Sequence, residues 1–514
     1  MQYVELTFSS DKVLFTIKSL DNIVLSQGDF FVDFLNVISN NEERTYVFFN
    51  VNIYAKAIKK MFWRNNFEGV ESSLKTNELD NNEFQAIGNT ETFYGFKFKY
   101  KNNIFLLKSL TNLIPRFDYT KVSQDKFTAY SLALKKYQEQ KLNGFTLASS
   151  CWNKWKKSHL KDIYGKRFNY IKWDNEIYNY SIQLGDYGLN LINPKYKKKI
   201  VKNVYVFDRN SQYPFIALNY PLPTDQPLEF KNLNQFKRQT RYTTYFVVVR
   251  IYFANIKKGL FPFLNISDNE SVKIPNVINN ETLVLWKDEF LEFKKRYTNL
   301  SFKILKIYGV KLRKNFFDNY FPPLFEMKQK ARAENDYLSS YFAKSQMNML
   351  LGKFAQNRFA TQYLEYKEGK FKIVNSEDIF RYSLLFSYIT MKARLNEEFY
   401  INVVFKNQFV YCDTDSLFIK DFKKKQAKYL SINPYKIGAF KLENIDAQLA
   451  IKNRKQYSEL TTQGEILNTI AGADTSLTDL LEPEEFLKCE HVYKREEWDI
   501  SNLEPIKKIV NILI

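Results

Sequence analysis

A chain of 514 residues is several times the usual length of one domain, so two or more packed units are expected. With 45% hydrophobic and 17% aromatic residues it carries too much apolar surface to stay disordered. Lys and Arg total 76 against 56 Asp and Glu, a formal charge of +20 that favours a polyanionic partner such as nucleic acid, although a general bias toward lysine gives the same excess.

The scarce residues exclude more. Three cysteines, Cys151, Cys412 and Cys489, stand without CxxC spacing, which argues against a disulfide framework or a zinc ribbon. Two histidines, His159 and His491, leave any catalysis to carboxylates and cations. There is no 18-residue apolar stretch and no basic-then-apolar leader in MQYVELTFSSDK, so a soluble intracellular protein with no membrane partner is the expectation.

Residues 1 to about 110 alternate short aromatic or β-branched runs with Asn, Asp and Gly breaks, which predicts mixed strand and helix. Residues 125–160 carry helical spacing interrupted at Gly144, a helical pair. VYVF (204–207) predicts a strand running into Asp208, and TYFVVVRIYF (244–253) predicts another. The stretch 324–356 has no proline and a basic residue every three or four positions, so it is the longest expected helical region. YLEYKEGKFKIV (363–374) reads as a hairpin turning at Glu368 and Gly369, and NQFVYCDTDSLFIK (407–420) as two strands flanking a tight acidic turn.

In YCDTDS, Asp413 and Asp415 are two apart, so on an extended backbone both side chains leave one face and can share hard cations. An isolated DTD is more often a solvated turn. Here apolar strands flank it and a third carboxylate, Asp208, ends another apolar strand; convergent buried acids call for a metal or shared protons.

At these residues the chain resembles the family B DNA polymerases, and among them the protein-primed branch of small phages, adenoviruses and linear plasmids. FDRNSQYPF (207–215) looks like the first palm motif, DxxSLYP, with Gln212 in place of the usual Leu. KSQMNMLLGKF (344–354) resembles the fingers motif KxxxNSxYG, with Met349 and Leu351 replacing Ser and Tyr. YCDTDS (411–416) matches the second palm motif, RKQY (454–457) the KxY motif, and TMKAR (390–394) a TxxAR-type element. LGDYGLN (184–190) is only a loose match to the YxGG linker, with Gly188 as its glycine.

The resemblance implies an α+β right-hand polymerase with palm, fingers and thumb behind an N-terminal exonuclease-like (RNase H-like) α/β domain. The exonuclease-like part would span 1–170 and the polymerase part 171–514. Within the latter, the palm falls at 171–220 and 375–450, a terminal-protein-type insertion at about 220–320 and the fingers at about 321–360. A small hairpin insertion at about 361–375 and a thumb at about 451–514 complete it. Asp208, Asp413 and Asp415 would bind two Mg²⁺ ions, with Mn²⁺ as a substitute. Ser211, Tyr213, Lys344, Asn348 and Arg332 would meet the nucleotide, Tyr213 as sugar gate; Thr390, Arg394, Lys455 and Tyr457 would contact primer or template.

The family's proofreading acids have no counterparts. The first, a DxE, is missing from 1–50; the second keeps Asn50 but offers Tyr54 or Ala55 for the acid; the third keeps Tyr130 but has Leu134. Lys108 fills a further position that often holds an acid. The expectation is a DNA polymerase extending a primer on a DNA template with dNTPs and a terminal protein, without 3′–5′ proofreading. The alternative is an inactive polymerase-like scaffold that binds nucleic acid. A bacterial host's cytoplasm, for a phage, and a mitochondrial matrix, for a linear plasmid, are the two settings the resemblance implies.

Overall fold

The aromatic and β-branched runs of the first 110 residues pair into one mixed sheet: alternation buries Phe15 and Ile17 in Val13–Lys18, while Thr45–Phe48 buries Tyr46, Val47 and Phe48 in succession. The computed structural model describes residues 1–8, 13–29, 33–42, 44–48, 85–88, 93–100, 103–115, 117–164, 175–184, 188–267, 272–356, 361–367, 370–376, 382–471, 481–489, 492–493, 497–499, 504–506 and 512–513. They fall into two compact units: Met1–Arg167 with Pro322–Arg381 and Arg495–Ile509, and Phe168–Phe321 with Tyr382–Lys494 and Val510–Ile514.

The first unit is built on a nine-stranded sheet. Its order is Lys370–Ser376, Thr361–Lys367, Gln85–Gly88, Phe93–Tyr100, Asn103–Ser109, Thr45–Phe48, Gln2–Phe8, Val13–Lys18 and Val24–Asp29. Thr45–Phe48 runs parallel to both of its neighbours. The hairpin expected at 363–374 is present as Thr361–Lys367 paired with Lys370–Ser376, and it joins the sheet by pairing Gln362–Glu365 with Gln85–Gly88. Helices Lys126–Glu139 and Leu147–Tyr164 form the expected helical pair. Gly144 lies between them, where an added Cβ would sit 2.6 Å from the Ser150 amide nitrogen. Leu110, Ala129, Leu134, Tyr137, Cys151 and Phe342 close one core.

The long helical region resolves into two helices, Phe321–Ala333 and Tyr337–Ala355. Asn335 takes a left-handed conformation (φ 55°), which asparagine tolerates better than most residues. Asp336 then caps the second helix by accepting from the Ser339 amide at 3.0 Å. The break needs no proline, which is why spacing alone ran through it.

The second unit holds a seven-stranded sheet, ordered Ile466–Ile470, Gln456–Thr461, Phe440–Asn453, Ile200–Arg209, Ser416–Lys420, Phe409–Asp413 and Asn190–Ile192, antiparallel throughout. A four-stranded sheet, Leu228–Phe230, Tyr297–Val310, Thr244–Ile256 and Val277–Trp286, shares its core: Phe207, Cys412, Leu417 and Ile419 belong to one buried cluster with Val247, Val249, Phe290 and Phe293. The helix Ser383–Phe399 is buried along most of its length, polar positions included. Among the described residues no helix is long and apolar enough to cross a membrane.

One polar cluster in this sheet sets a pH dependence. Asn444 Nδ2 donates to Asp446 Oδ1 at 2.7 Å and to Glu459 Oε1 at 3.1 Å. Burial, then the carboxyl of Glu459, pushes Asp446 well above the ordinary carboxylate range, and burial raises Glu459 too. A carboxyl raised on folding binds more protons in the native than in the unfolded state. Its contribution is therefore fully present below the unfolded value near 4 and is lost as pH climbs through the raised native values. Asp446→Asn keeps a donor toward Glu459 and removes the titration. The variant should melt about 2–4 °C higher than wild type at pH 8 and at the same temperature at pH 4. Equal midpoints at pH 8 would show that the pair costs nothing when ionised.

Candidate active site

The site is laid out by strand register. Lys441 pairs with Asp208, Asp208 with Ser416, Ser416 with Asp413, and Asp413 with Asn190, so five residues form one row across five strands. Directly paired positions project to the same face of a sheet. Two strand spacings of about 4.8 Å put the backbones of Asp208 and Asp413 about 10 Å apart.

Hydrogen bonds run along this row. Ser416 Oγ donates to Asp208 Oδ1 at 3.2 Å, and Asn190 Nδ2 donates to Asp413 Oδ1 at 3.1 Å. Lys441 Nζ lies 3.3 Å from Asp208 Oδ2, and Lys455 Nζ 2.9 Å from Asp413 Oδ1. Each of these two carboxylates thus lies against an ammonium, and Lys441 is shared with Glu443. Burial lifts Asp208 above the ordinary carboxylate range against the pull of Lys441.

Asp415 sits beyond the row, in the two-residue turn closing the hairpin Phe409–Asp413 and Ser416–Lys420. Thr414 is left-handed there (φ 64°), the Asp415 amide donates to the Asp413 carbonyl at 2.7 Å, and the Arg209 amide donates to the Asp415 carbonyl at 2.9 Å. The backbone of Asp415 is thereby tied to the residue that follows Asp208. Thr414 in turn donates its amide to the Leu189 carbonyl at 2.8 Å.

Tyr213 closes one side. Its ring meets Phe386 edge-on at 5.9 Å, and burial followed by the Asp415 charge pushes its hydroxyl above the ordinary phenol value. Gly188 sits tightly against both groups: a Cβ there would lie 2.6 Å from Thr414 Cγ2 and 2.9 Å from the Tyr213 hydroxyl. Ser211, at φ 55°, turns the chain from the Asp208 strand into the helix Gln212–Asn219. Lys455 is also left-handed (φ 55°), in the turn joining Phe440–Asn453 to Gln456–Thr461, and its amide donates to the Tyr411 hydroxyl at 2.9 Å. Tyr457 is buried edge-on against Tyr411 at 5.5 Å and Phe418 at 5.4 Å.

Other candidates belong to other elements. Thr390 and Arg394 are buried, at 0% and 2% exposure, and Arg394 Nη2 donates to Glu289 Oε1 at 2.6 Å. Their side chains serve the interior of the second unit. Lys344 and Asn348 are exposed, one turn apart on the helix Tyr337–Ala355 of the first unit, and Arg332 is exposed on the preceding helix. Of the degenerate exonuclease positions, Leu134 is in the core of the first unit and Tyr130 packs on Phe117 at 5.4 Å; Asn50 and Tyr54 lie outside the described residues. Lys108 is buried, its ammonium 5.6 Å from the centre of the Phe145 ring.

Three partners escaped the sequence reading. Lys441 and Asn190 are found only through register. Glu397, wholly buried, is pushed up to about 7 by burial, with Arg209 pulling it down and Asp415 and Asp208 pushing it up. Two consecutive acids, Glu397 and Glu398, inside a helix otherwise rich in buried residues were the available signal.

Among the described residues no group of three His, Cys, Asp or Glu side chains is close enough to hold a metal ion. The donor set nevertheless suits a hard divalent cation: aspartate oxygens on one sheet end, two already bridged to a cation, and neither sulfur nor imidazole in the row.

A family model described as DNA polymerase type B, organellar and viral, matches residues 130–434. The DNA polymerase of Bacillus phage Nf is 24% identical over 289 residues, which cover 52% of this chain and 48% of that protein. The DNA polymerase of Bacillus phage phi29 is 23% identical over 279 residues, covering 52% and 47%. The match thus spans about half the length of these curated relatives. The solved phi29 DNA polymerase complexed with primer-template DNA and incoming nucleotide substrates superimposes with a TM-score of 0.76 at 16% identity over 96% of each chain. Its complex with single-stranded DNA gives 0.74 over the same share. At that identity the likeness is one of fold: a right-hand family B architecture.

Proposed function

The chain belongs to the organellar and viral type B DNA polymerases, and from that premise we propose that it adds deoxynucleotides to a primer 3′ hydroxyl on a DNA template. The observation that carries this is the row Lys441, Asp208, Ser416, Asp413 and Asn190, with Asp415 tied to it through Arg209. Phosphoryl transfer asks a protein for positioning and charge neutralisation more than for covalent chemistry.

Asp208, Asp413 and Asp415 would hold the divalent ions, Mg²⁺ or Mn²⁺ as a substitute, which when bound neutralise the charge of the transferring phosphoryl group. The other residues orient. Tyr213, edge-on against Phe386 and with its hydroxyl close to Gly188, would form a wall against a ribose 2′ hydroxyl. Lys455, beside Asp413, and Tyr457, packed edge-on against Tyr411, would hold a primer end. Thr390 and Arg394, being buried, act through the packing of their helix. The assignment of Lys344, Asn348 and Arg332 to the triphosphate rests on the fingers motif and its basic flank alone.

Extension of a labelled primer-template with Mg²⁺ and four dNTPs tests the activity; no product with Mg²⁺ or Mn²⁺ would leave the inactive scaffold. Protein priming rests on the resemblance and on the named phage relatives. Here the four-stranded sheet within 220–320 would receive a terminal protein, and nucleotide attachment to a candidate protein in the absence of a DNA primer is the measurement.

We also expect no proofreading. Leu134 and Lys108 stand where carboxylates would have to bind ions, one in an apolar core and the other a cation. A 3′-mismatched primer should stay at full length in the absence of dNTPs. Shortening that disappears on mutating a residue within 1–170 would refute this.

A further inference from the structure

Gln212 is where the first palm motif departs from its usual leucine, and the side chain does not face solvent. It is 2% exposed, and its Nε2 donates to Glu397 Oε1 at 2.7 Å. Glu397 is 0% exposed and comes from the helix Ser383–Phe399. Arg209 is 5% exposed, with Nε 3.9 Å from the same Glu397 oxygen and its guanidinium over the rings of Phe440 at 4.5 Å and Tyr400 at 5.4 Å.

Asp208 and Tyr213 thus bracket both Arg209 and Gln212 in the chain. Of the side chains turned inward at this corner, Arg209 and Gln212 converge on one buried acid, while Asn210 donates to the Pro434 carbonyl. A carboxyl placed near other carboxylates in a buried setting is costly, and a leucine at 212 would leave it without its one short hydrogen bond. The amide of Gln212 is what lets an acid occupy that position.

We infer that Glu397 is a positioning residue for the reaction, acting through Gln212 and Arg209 to set the corner that carries Asp208 at one end and Tyr213 at the other. The inference rests on the polymerase reading above. Glu397 itself needs no contact with substrate. Its role is to hold the strand-to-helix turn in one arrangement, which the backbone bond from Arg209 N to the Asp415 carbonyl passes to the acidic hairpin.

A reciprocal exchange tests it. Gln212→Glu sets two carboxyls against each other and should lower kcat for single-nucleotide insertion by about 100-fold, with KM for the dNTP within about threefold. The double variant Gln212→Glu/Glu397→Gln restores one acid and one amide across the same contact and should recover at least about tenfold of that loss. Gln212→Met, which breaks the hydrogen bond without adding charge, should fold and lower kcat by about tenfold. A double variant no faster than Gln212→Glu, or Gln212→Met with wild-type kcat, overturns the inference while leaving the polymerase intact. A wild-type chain that inserts no nucleotide overturns the polymerase reading, and this inference with it.

Discussion

Asp415→Asn is expected to slow primer extension by about 10³-fold or more, since charge stabilisation of a transferring phosphoryl group is commonly worth that much. The substitution is close to isosteric. The turn has backbone hydrogen bonds, the Asp415 amide on the Asp413 carbonyl and the Arg209 amide on the Asp415 carbonyl, that the substitution leaves in place. Thermal midpoint should therefore be preserved while single-turnover insertion collapses. Asp208→Asn and Asp413→Asn should fall in the same direction, and each also removes a carboxylate charge from beside a lysine, Lys441 or Lys455. A near-wild-type rate for Asp415→Asn at an unchanged melting temperature would remove Asp415 from the chemistry.

The second large effect is expected at a residue with no chemistry of its own. Gly188→Ala puts a methyl group 2.6 Å from Thr414 Cγ2 and 2.9 Å from the Tyr213 hydroxyl, both closer than real carbon atoms approach. The methyl must displace the residue between the two turn aspartates, the tyrosine, or both. A shift near 1 Å at a reacting centre can cost about 10²-fold, and that is the drop expected in kcat/KM for the incoming dNTP. Thr414→Ser deletes Cγ2, the nearest contact, so Gly188→Ala/Thr414→Ser should regain much of the loss. If Gly188→Ala alone behaves as wild type, the close approach does not govern the site.

Legibility followed locality. The strand into Asp208 and the hairpin around Asp413 and Asp415 were readable because apolar runs and tight turns are written in consecutive residues. The helical pair around Gly144 was readable for the same reason. What spacing could not supply is register: nothing local says that Lys441 lies opposite Asp208 or that Asn190 lies opposite Asp413. Burial was equally hidden. Arg394 in TMKAR looks like a surface cation in the sequence, yet it is turned inward onto Glu289 from a helix more than a hundred positions away in the chain. Gln212 departs from its motif in plain sight, but the reason, Glu397, comes from a different element.

The hairpin Thr361–Ser376 has a consequence for how the molecule can be dissected. It covers the strand Gln85–Gly88, whose other side pairs with Phe93–Tyr100, so the end of the first unit's sheet is completed by chain from far downstream. A fragment ending at residue 170 would carry that strand with a bare row of amides and carbonyls, the kind of surface that recruits a neighbouring copy. Separately expressed halves would therefore be poor stand-ins for the whole, and joining the 361–376 segment back through a short linker is the natural remedy.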